Sequence, residues 1–276
     1  GDNTWAGLRD DIEFRPGRYG RLEFRVDGED YVVQYMPVGM VELESRPELL
    51  LAQMTAAGVD HCVLQAGFTY GYMNDYNALA QRQYPGRFTG LFHVDEPMAD
   101  AAHWMAEARR AVEQLGLRGL HYQTDTFARY DFRWWFDDRR FDAFWSMIEG
   151  FGVPVFFEPM HIPTYDEASY LEIMRRLDGI MTRFPGLRWL LVLQPPVSYF
   201  ARNGRWEFPV TVGKVYARET VRLEMTFPIA WGGVWDYPYP EAQALIKDLR
   251  DRYGATKLVW GSDMPNVERF CTYRQC

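Results

Sequence analysis

The stretch Pro154–Gln194, PVFFEPMHIPTYDEASYLEIMRRLDGIMTRFPGLRWLLVLQ, decides the fold. Its two ends, PVFFE (154–158) and LRWLLVLQ (187–194), are short apolar runs of strand length, bounded by Gly and Pro. Between them, Tyr165–Phe184 reads as a long helix. A strand, a helix and a second strand in that order form a parallel pair with a right-handed crossover.

The same alternation continues in both directions. Upstream, Arg46–Ala57 reads as a helix with Pro47 in its first turn and Gly58 closing it. Asp60–Gln65 is a strand, Asn74–Tyr84 a helix, Phe88–Val94 a strand, Ala99–Leu115 a helix, Leu117–Tyr122 a strand and Phe141–Gly150 a helix. Downstream, Val221–Met225 is a strand, Pro240–Tyr253 a helix and Lys257–Trp260 a strand. Two segments interrupt the rhythm: an aromatic, charged insertion at Thr124–Arg140 and a long loop at Pro195–Ala217. Seven strands separated by helices favour a closed parallel barrel over an open sheet. No G-x-G-x-x-G and no G-x-x-x-x-G-K-[ST] occurs, so dinucleotide and P-loop readings lose support. The first residues differ: Arg21–Val26 and Tyr31–Gln34 flank Asp27-Gly28, a hairpin signal. The expected organisation is one domain over 1–276, with a hairpin region at 1–45 and βα units over 46–270.

Composition narrows the function. The 276 residues are 47% hydrophobic and 25% charged, which suits a globular chain able to bury a core. A net charge of −8 argues against a nucleic-acid-binding face. No apolar run is long enough to span a membrane, and the first residues lack the features of a signal peptide. Cys62, Cys271 and Cys276 form neither a disulfide framework nor a zinc motif, which points to reduced thiols in a cytoplasmic protein. Aromatics reach 16%, and Phe132–Phe136 (FRWWF) could wall a pocket or pack against a second copy in a homodimer.

In a parallel barrel, chemistry gathers at the C-terminal strand ends. Those ends are Gln65, His93, His121, Glu158, Gln194, Glu224 and Asp263. Singly, each is as well explained as a strand cap or a hydrogen-bonded core residue. Together they form a polar ring able to bind metal or transfer protons. Glu158 and His161 could share a divalent ion or act as an acid–base pair, and Pro159 and Pro163 argue against a helix there. Arg202, Arg205, Lys214 and Arg218 lie on or beside the long loop, where a guanidinium could pair with an acidic substrate.

Several segments resemble the amidohydrolase-related (amidohydrolase 2) family that includes aminocarboxymuconate semialdehyde decarboxylase and the resorcylate-type decarboxylases. They are YPGRFTGLFHVD (84–95), Ala106–Leu120 with its LGLRGL ending, FPGLRWLLVLQ (184–194) and, most specifically, YGATKLVWGSDMP (253–265). The resemblance implies a metal-assisted (β/α)8 TIM barrel with an N-terminal β-hairpin insertion. It also implies that the given chain lacks the family's first strand and last helix. Asp263 matches the family's acidic position, whereas Glu158 and Gln194 stand where the family has His. On this reading Glu158, Asp263 and His161 are the metal ligands, and Asp263, His161 and His93 are the catalytic groups. Gln194, Arg202 and Arg205 contact a small-molecule substrate, without a nucleic-acid or membrane partner. The ion is Mn, Fe or Zn, carboxylate ligands favouring the harder ions. The expected activity is decarboxylation or hydrolysis of a small carboxylated or aromatic molecule. The rivals are an iron-dependent oxygenase on the same barrel and a non-catalytic binding protein with a degenerate site.

Overall fold

The computed structural model describes residues 5–6, 13–67, 70–160, 166–226 and 236–276. At the N-terminus, β1 (Trp5–Ala6), β2 (Glu13–Pro16), β3 (Arg21–Val26) and β4 (Glu29–Gln34) form an antiparallel sheet in chain order. The hairpin signal is realised between β3 and β4, where Asp27 and Gly28 adopt φ of 51° and 87°. Two successive positive φ values match the right-handed twist of the flanking strands, and glycine adopts them without strain.

The regular part follows with α1 (Pro47–Ala57), β5 (Cys62–Leu64), α2 (Asn74–Gln83), β6 (Phe88–Gly90), α3 (Ala102–Glu113), β7 (Leu120–Gln123), α4 (Asp142–Phe151), β8 (Val155–Glu158), α5 (Glu167–Arg183) and β9 (Trp189–Leu191). It continues with α6 (Val197–Phe200), β10 (Ala201–Arg202), β11 (Arg205–Trp206), α7 (Val210–Ala217), β12 (Val221–Thr226), α8 (Pro240–Tyr253) and β13 (Leu258–Gly261). β5 pairs with β6, and a bridge from Phe92 to Leu120 carries the array on to β7. From there β7, β8, β9, β12 and β13 pair as neighbours, and every pairing is parallel. All seven expected strands are present in this order. Closure is not: among the described residues no strand pairs the outer edges of β5 and β13. Both edges instead line one cavity of 320 Å³ through Cys62, Val63, Leu64, Val259 and Trp260.

Register and the two-residue period sort the side chains. Tyr122, Phe157, Leu191 and Leu223 share the helix-facing side and are fully buried. The Phe157 ring stacks on Tyr122 at 5.9 Å and meets Trp189 edge-on at 5.7 Å. Phe144 and Trp145 of α4 and Leu177 and Ile180 of α5 complete this layer. His121, Phe156, Leu190 and Arg222 line up on the opposite face.

Helix α2 adds an unusual contact. Asn74, Asn77 and Gln81 lie on one helical face. Asn74 Nδ2 donates to the His93 carbonyl at 3.1 Å, and its Oδ1 accepts from His93 N at 3.0 Å. Asn77 Nδ2 donates to Leu91 O, and Gln81 Oε1 accepts from Gly90 N. Side-chain amides thereby supplement the backbone pairing along residues 90–93, where Leu91 N donates to Leu64 O and Phe92 N to Gly119 O.

One expectation is corrected. The long loop at 195–217 contains the β10–β11 hairpin and α7, which packs on α5 through buried Val212, Val215 and Tyr216. Its β-branched Val210, Thr211, Val212 and Val215 have weak helix propensity, so tertiary burial decides its state. The FRWWF segment makes contacts within the chain, which leave the expectation of a pocket wall or a second copy untouched. Phe136 is fully buried, Trp134 Nε1 donates to Pro97 O, and Arg140 and Arg176 cover the rings of Trp134 and Trp135. Among the described residues no helix is long and apolar enough to cross a membrane.

Candidate active site

The C-terminal ends of β7, β8 and β12, with the turn after β13, bring polar side chains to one end of the array. Gln123 and Glu158 are register partners, and Gln123 Nε2 donates to Glu158 Oε2 at 2.9 Å. His121 Nε2 lies 3.3 Å from the same carboxylate oxygen. Asp125, one turn past β7, is buried, and so is Glu224 on β12. A methyl group on Gly67 would collide with the Gln123 amide, and one on Gly261 with the Glu224 carboxylate. Both glycines therefore clear space for a polar group that faces them.

Asp263 begins the turn after β13 with φ of 54°, and its Oδ2 accepts from Asn266 Nδ2 at 2.8 Å. It is exposed to two cavities that it lines, while protein encloses its other sides. Nearby, the hydroxyls of Tyr35 and Tyr70 share a hydrogen bond of 2.7 Å, which ties the segment after β4 to the strand ends.

The acids act on one another. Burial first, and then the Glu158 charge, push Asp125 and Glu224 up to about 7. Burial likewise pushes Asp263 up to about 6, with Glu158 adding to the shift and Asn266 opposing it. Burial and neighbouring His121 pull His93 down to about 4. His93 is thus neutral at pH 7, and its Nε2 accepts from Met73 N at 3.3 Å. Behind this layer, Glu96 is fully buried and burial holds its carboxyl well above the usual range. Its Oε1 accepts from Gln123 N at 3.2 Å.

This arrangement suits a hard divalent cation in chemistry. Neither ring nitrogen of buried His121 makes a hydrogen bond among the described residues, and the same holds for Asp125 Oδ1 and Glu224 Oε2. Several enclosed carboxylates beside one imidazole form an oxygen-rich donor set whose mutual repulsion a cation relieves. Among the described residues no three such groups already stand close enough to enclose an ion.

The structure gathers Glu158 and Asp263 into one electrostatic cluster and adds Glu224, Asp125, His121 and Gln123. His161 lies outside the described residues. Gln194 is engaged elsewhere. Its Oε1 accepts from the hydroxyls of Tyr170 and Tyr216, and its Nε2 donates to Val192 O and Leu193 O at 3.1 Å. Leu193, at φ of 59°, breaks the alternation that would have turned Gln194 inward. Arg202 and Arg205 are exposed on the β10–β11 hairpin, which packs on α8. Asp125 escaped the sequence reading because it falls inside the aromatic insertion, where no strand period applies.

An amidohydrolase family model matches residues 26–276, and the chain belongs to that family. It is an enzyme of the amidohydrolase type. No curated protein matches the chain. Among solved structures, a 2,6-dihydroxybenzoate decarboxylase from Rhizobium is similar at 16% identity, with a TM-score of 0.59 over 84% of this chain and 83% of that one. A dihydroxybenzoic acid decarboxylase from Polaromonas, with bound manganese and 2-nitroresorcinol, is similar at 17% identity, with a TM-score of 0.59 over 82% and 78%. A probable 2-pyrone-4,6-dicarboxylic acid hydrolase from Acinetobacter baumannii, with citric acid bound, is similar at 15% identity, with a TM-score of 0.60 over 91% and 83%. These likenesses carry the fold.

Proposed function

We propose that the chain is a divalent-metal-dependent enzyme that decarboxylates or hydrolyses a small carboxylated or aromatic molecule on a (β/α)8 barrel. One observation carries the reading. Asp125, Glu224 and Asp263 cluster around Glu158 at the strand ends, each with its proton affinity raised toward neutrality. Clustered acids of this kind suit a cation and proton transfer. Glu158 and Asp263, with His161, would hold the ion, and manganese in a family-like structure supports that class of metal. Such an ion polarises a substrate oxygen or activates water.

The chain's own groups have separable tasks. Asp263 holds or releases a proton on its carboxylate at near-neutral pH. Glu224 keeps a proton on its buried carboxyl until the site's charge changes. Gln123 orients Glu158 through its amide. His93, neutral and with Nε2 accepting from Met73 N, would carry its proton on Nδ1 and act as a hydrogen-bond donor. Substrate contact through Gln194, Arg202 or Arg205, as expected from the sequence, draws no support from the contacts they make. A second reading, iron-dependent oxygen chemistry, would need imidazole ligands beside the carboxylates, of which His121 is one.

Metal titration with turnover of hydroxybenzoates tests the proposal. Mn2+ should bind in the micromolar range or tighter, with release of carbon dioxide or a hydrolysis product. Glu158→Gln and Asp263→Asn should each weaken metal binding and sharply lower turnover. Unchanged metal binding in both variants would remove the assignment, and iron content coupled to oxygen uptake would move it to the second reading.

A further inference from the structure

Asp263 also lines a second cavity, of 360 Å³, which shares Leu50, Leu64, Gln65 and Met264 with the first. Its opposite wall comes from the segment after β4, where Met36, Met40 and Leu43 face Met73 at the start of α2 and Met264 beside Asp263. Four methionines around one cavity give an apolar, polarisable and adaptable surface. Charge is distributed unevenly. Among the described lining residues the one cation is Arg46. Its guanidinium is already bonded to Glu44, through Nε at 3.0 Å and Nη2 at 2.8 Å. An anionic group reaching past Asp263 into this cavity would meet the methionines and the neutral polar groups of Gln65, Tyr70 and Asn77, and the one cation of the described lining is already engaged by Glu44. Leaving a charge so uncompensated is unfavourable, whereas an alkyl group loses only its contact with water.

We propose that the methionine-walled cavity receives an uncharged apolar arm of the substrate. The site thereby selects a monoanionic aromatic acid with an alkyl-type substituent and discriminates against a second carboxylate. The aromatic-acid part rests on the function proposed above; the apolar arm does not.

The test uses the full chain and four probes followed by calorimetry. They are 2,6-dihydroxybenzoate, its 4-butyl and 4-carboxy derivatives with Mn2+ present, and 4-butylphenol without metal. The butyl compound should bind about 10–100-fold more tightly than the parent, from burial of four carbons. The carboxy compound should bind more weakly than the parent. Met40→Glu, on a loop and checked for folding by circular dichroism, should erase the butyl advantage, and Met40→Lys should favour the carboxy compound. Butyl and parent acids of equal affinity, or a carboxy compound that binds best to the unaltered chain, would overturn the proposal. 4-Butylphenol separates the two readings. If it binds and Met40→Glu abolishes its binding while no acid binds, the cavity assignment stands and the catalytic reading falls. If it fails to bind, or binds Met40→Glu equally well, the cavity assignment falls.

Discussion

The two faces of β7 and β8 are one residue apart in sequence and opposite in purpose. Leu120, Val155 and Phe157 are apolar, and with the ring of Tyr122 they are fully buried and packed under helices. His121, Gln123 and Glu158 alternate with them and form a polar cluster whose members make few compensating contacts. The comparison teaches that stability and chemistry are carried by the same strands and divided by a two-residue period. The helix-facing side gains from burial, while the inner side holds enclosed carboxyls at some cost to the fold.

The largest effect should come from the helix-facing side. Phe157→Ala leaves a cavity among Tyr122, Phe136 and Trp189, and should cost about 3–5 kcal/mol in urea unfolding. A smaller loss than that of an inner-face substitution would break the division. Next is Asp263→Asn, expected to lower turnover on the order of 10²–10³-fold while unfolding free energy moves by less than about 1 kcal/mol. Loss of the fold in that variant would make Asp263 structural.

Third is the response to pH without metal. Glu224 and Asp125 are pushed up to about 7 when folded, whereas unfolded carboxyls titrate near about 4. A raised acid leaves stability intact below the unfolded value and reduces it as pH climbs toward the folded one. The metal-free protein should thus be more stable at pH 5 than at pH 8, by about 2–5 kcal/mol. Glu224→Gln should remove part of that dependence, and a flat profile in the unaltered protein would show that the acids are already compensated. The smallest effect is expected from Arg202→Ala. Stability should shift within about 0.5 kcal/mol and KM should stay constant, because the side chain is exposed and donates only to Ala201 O. A tenfold rise in KM would place the substrate at the β10–β11 hairpin.

Much of the helix-facing side was legible in the sequence, because apolar runs of strand length between helices have few alternative readings. PVFFE became β8 almost residue for residue, and LRWLLVLQ contains β9. The site was legible only in part. Strand ends pointed to His121, Glu158, Glu224 and Asp263, yet alternation could not foresee that Leu193 would turn Gln194 toward Tyr170 and Tyr216. The space that Gly67 and Gly261 leave for their polar neighbours depends on contacts between distant segments. Helix α7 was hidden because its β-branched residues take helical form only when buried against α5.

The amides of α2 carry a consequence in time. Asn74, Asn77 and Gln81 hold residues 90–93 across separations of only 9 to 19 positions, so these contacts can close early at small loop-entropy cost. A helix and the strand that follows it then behave as a single unit whose backbone is guarded by side chains. The amide protons of Gly90 and His93 should exchange slowly with solvent, together with those of α2, because no opening frees one without the other. The His93 backbone would thus be seated before the surrounding acids are assembled.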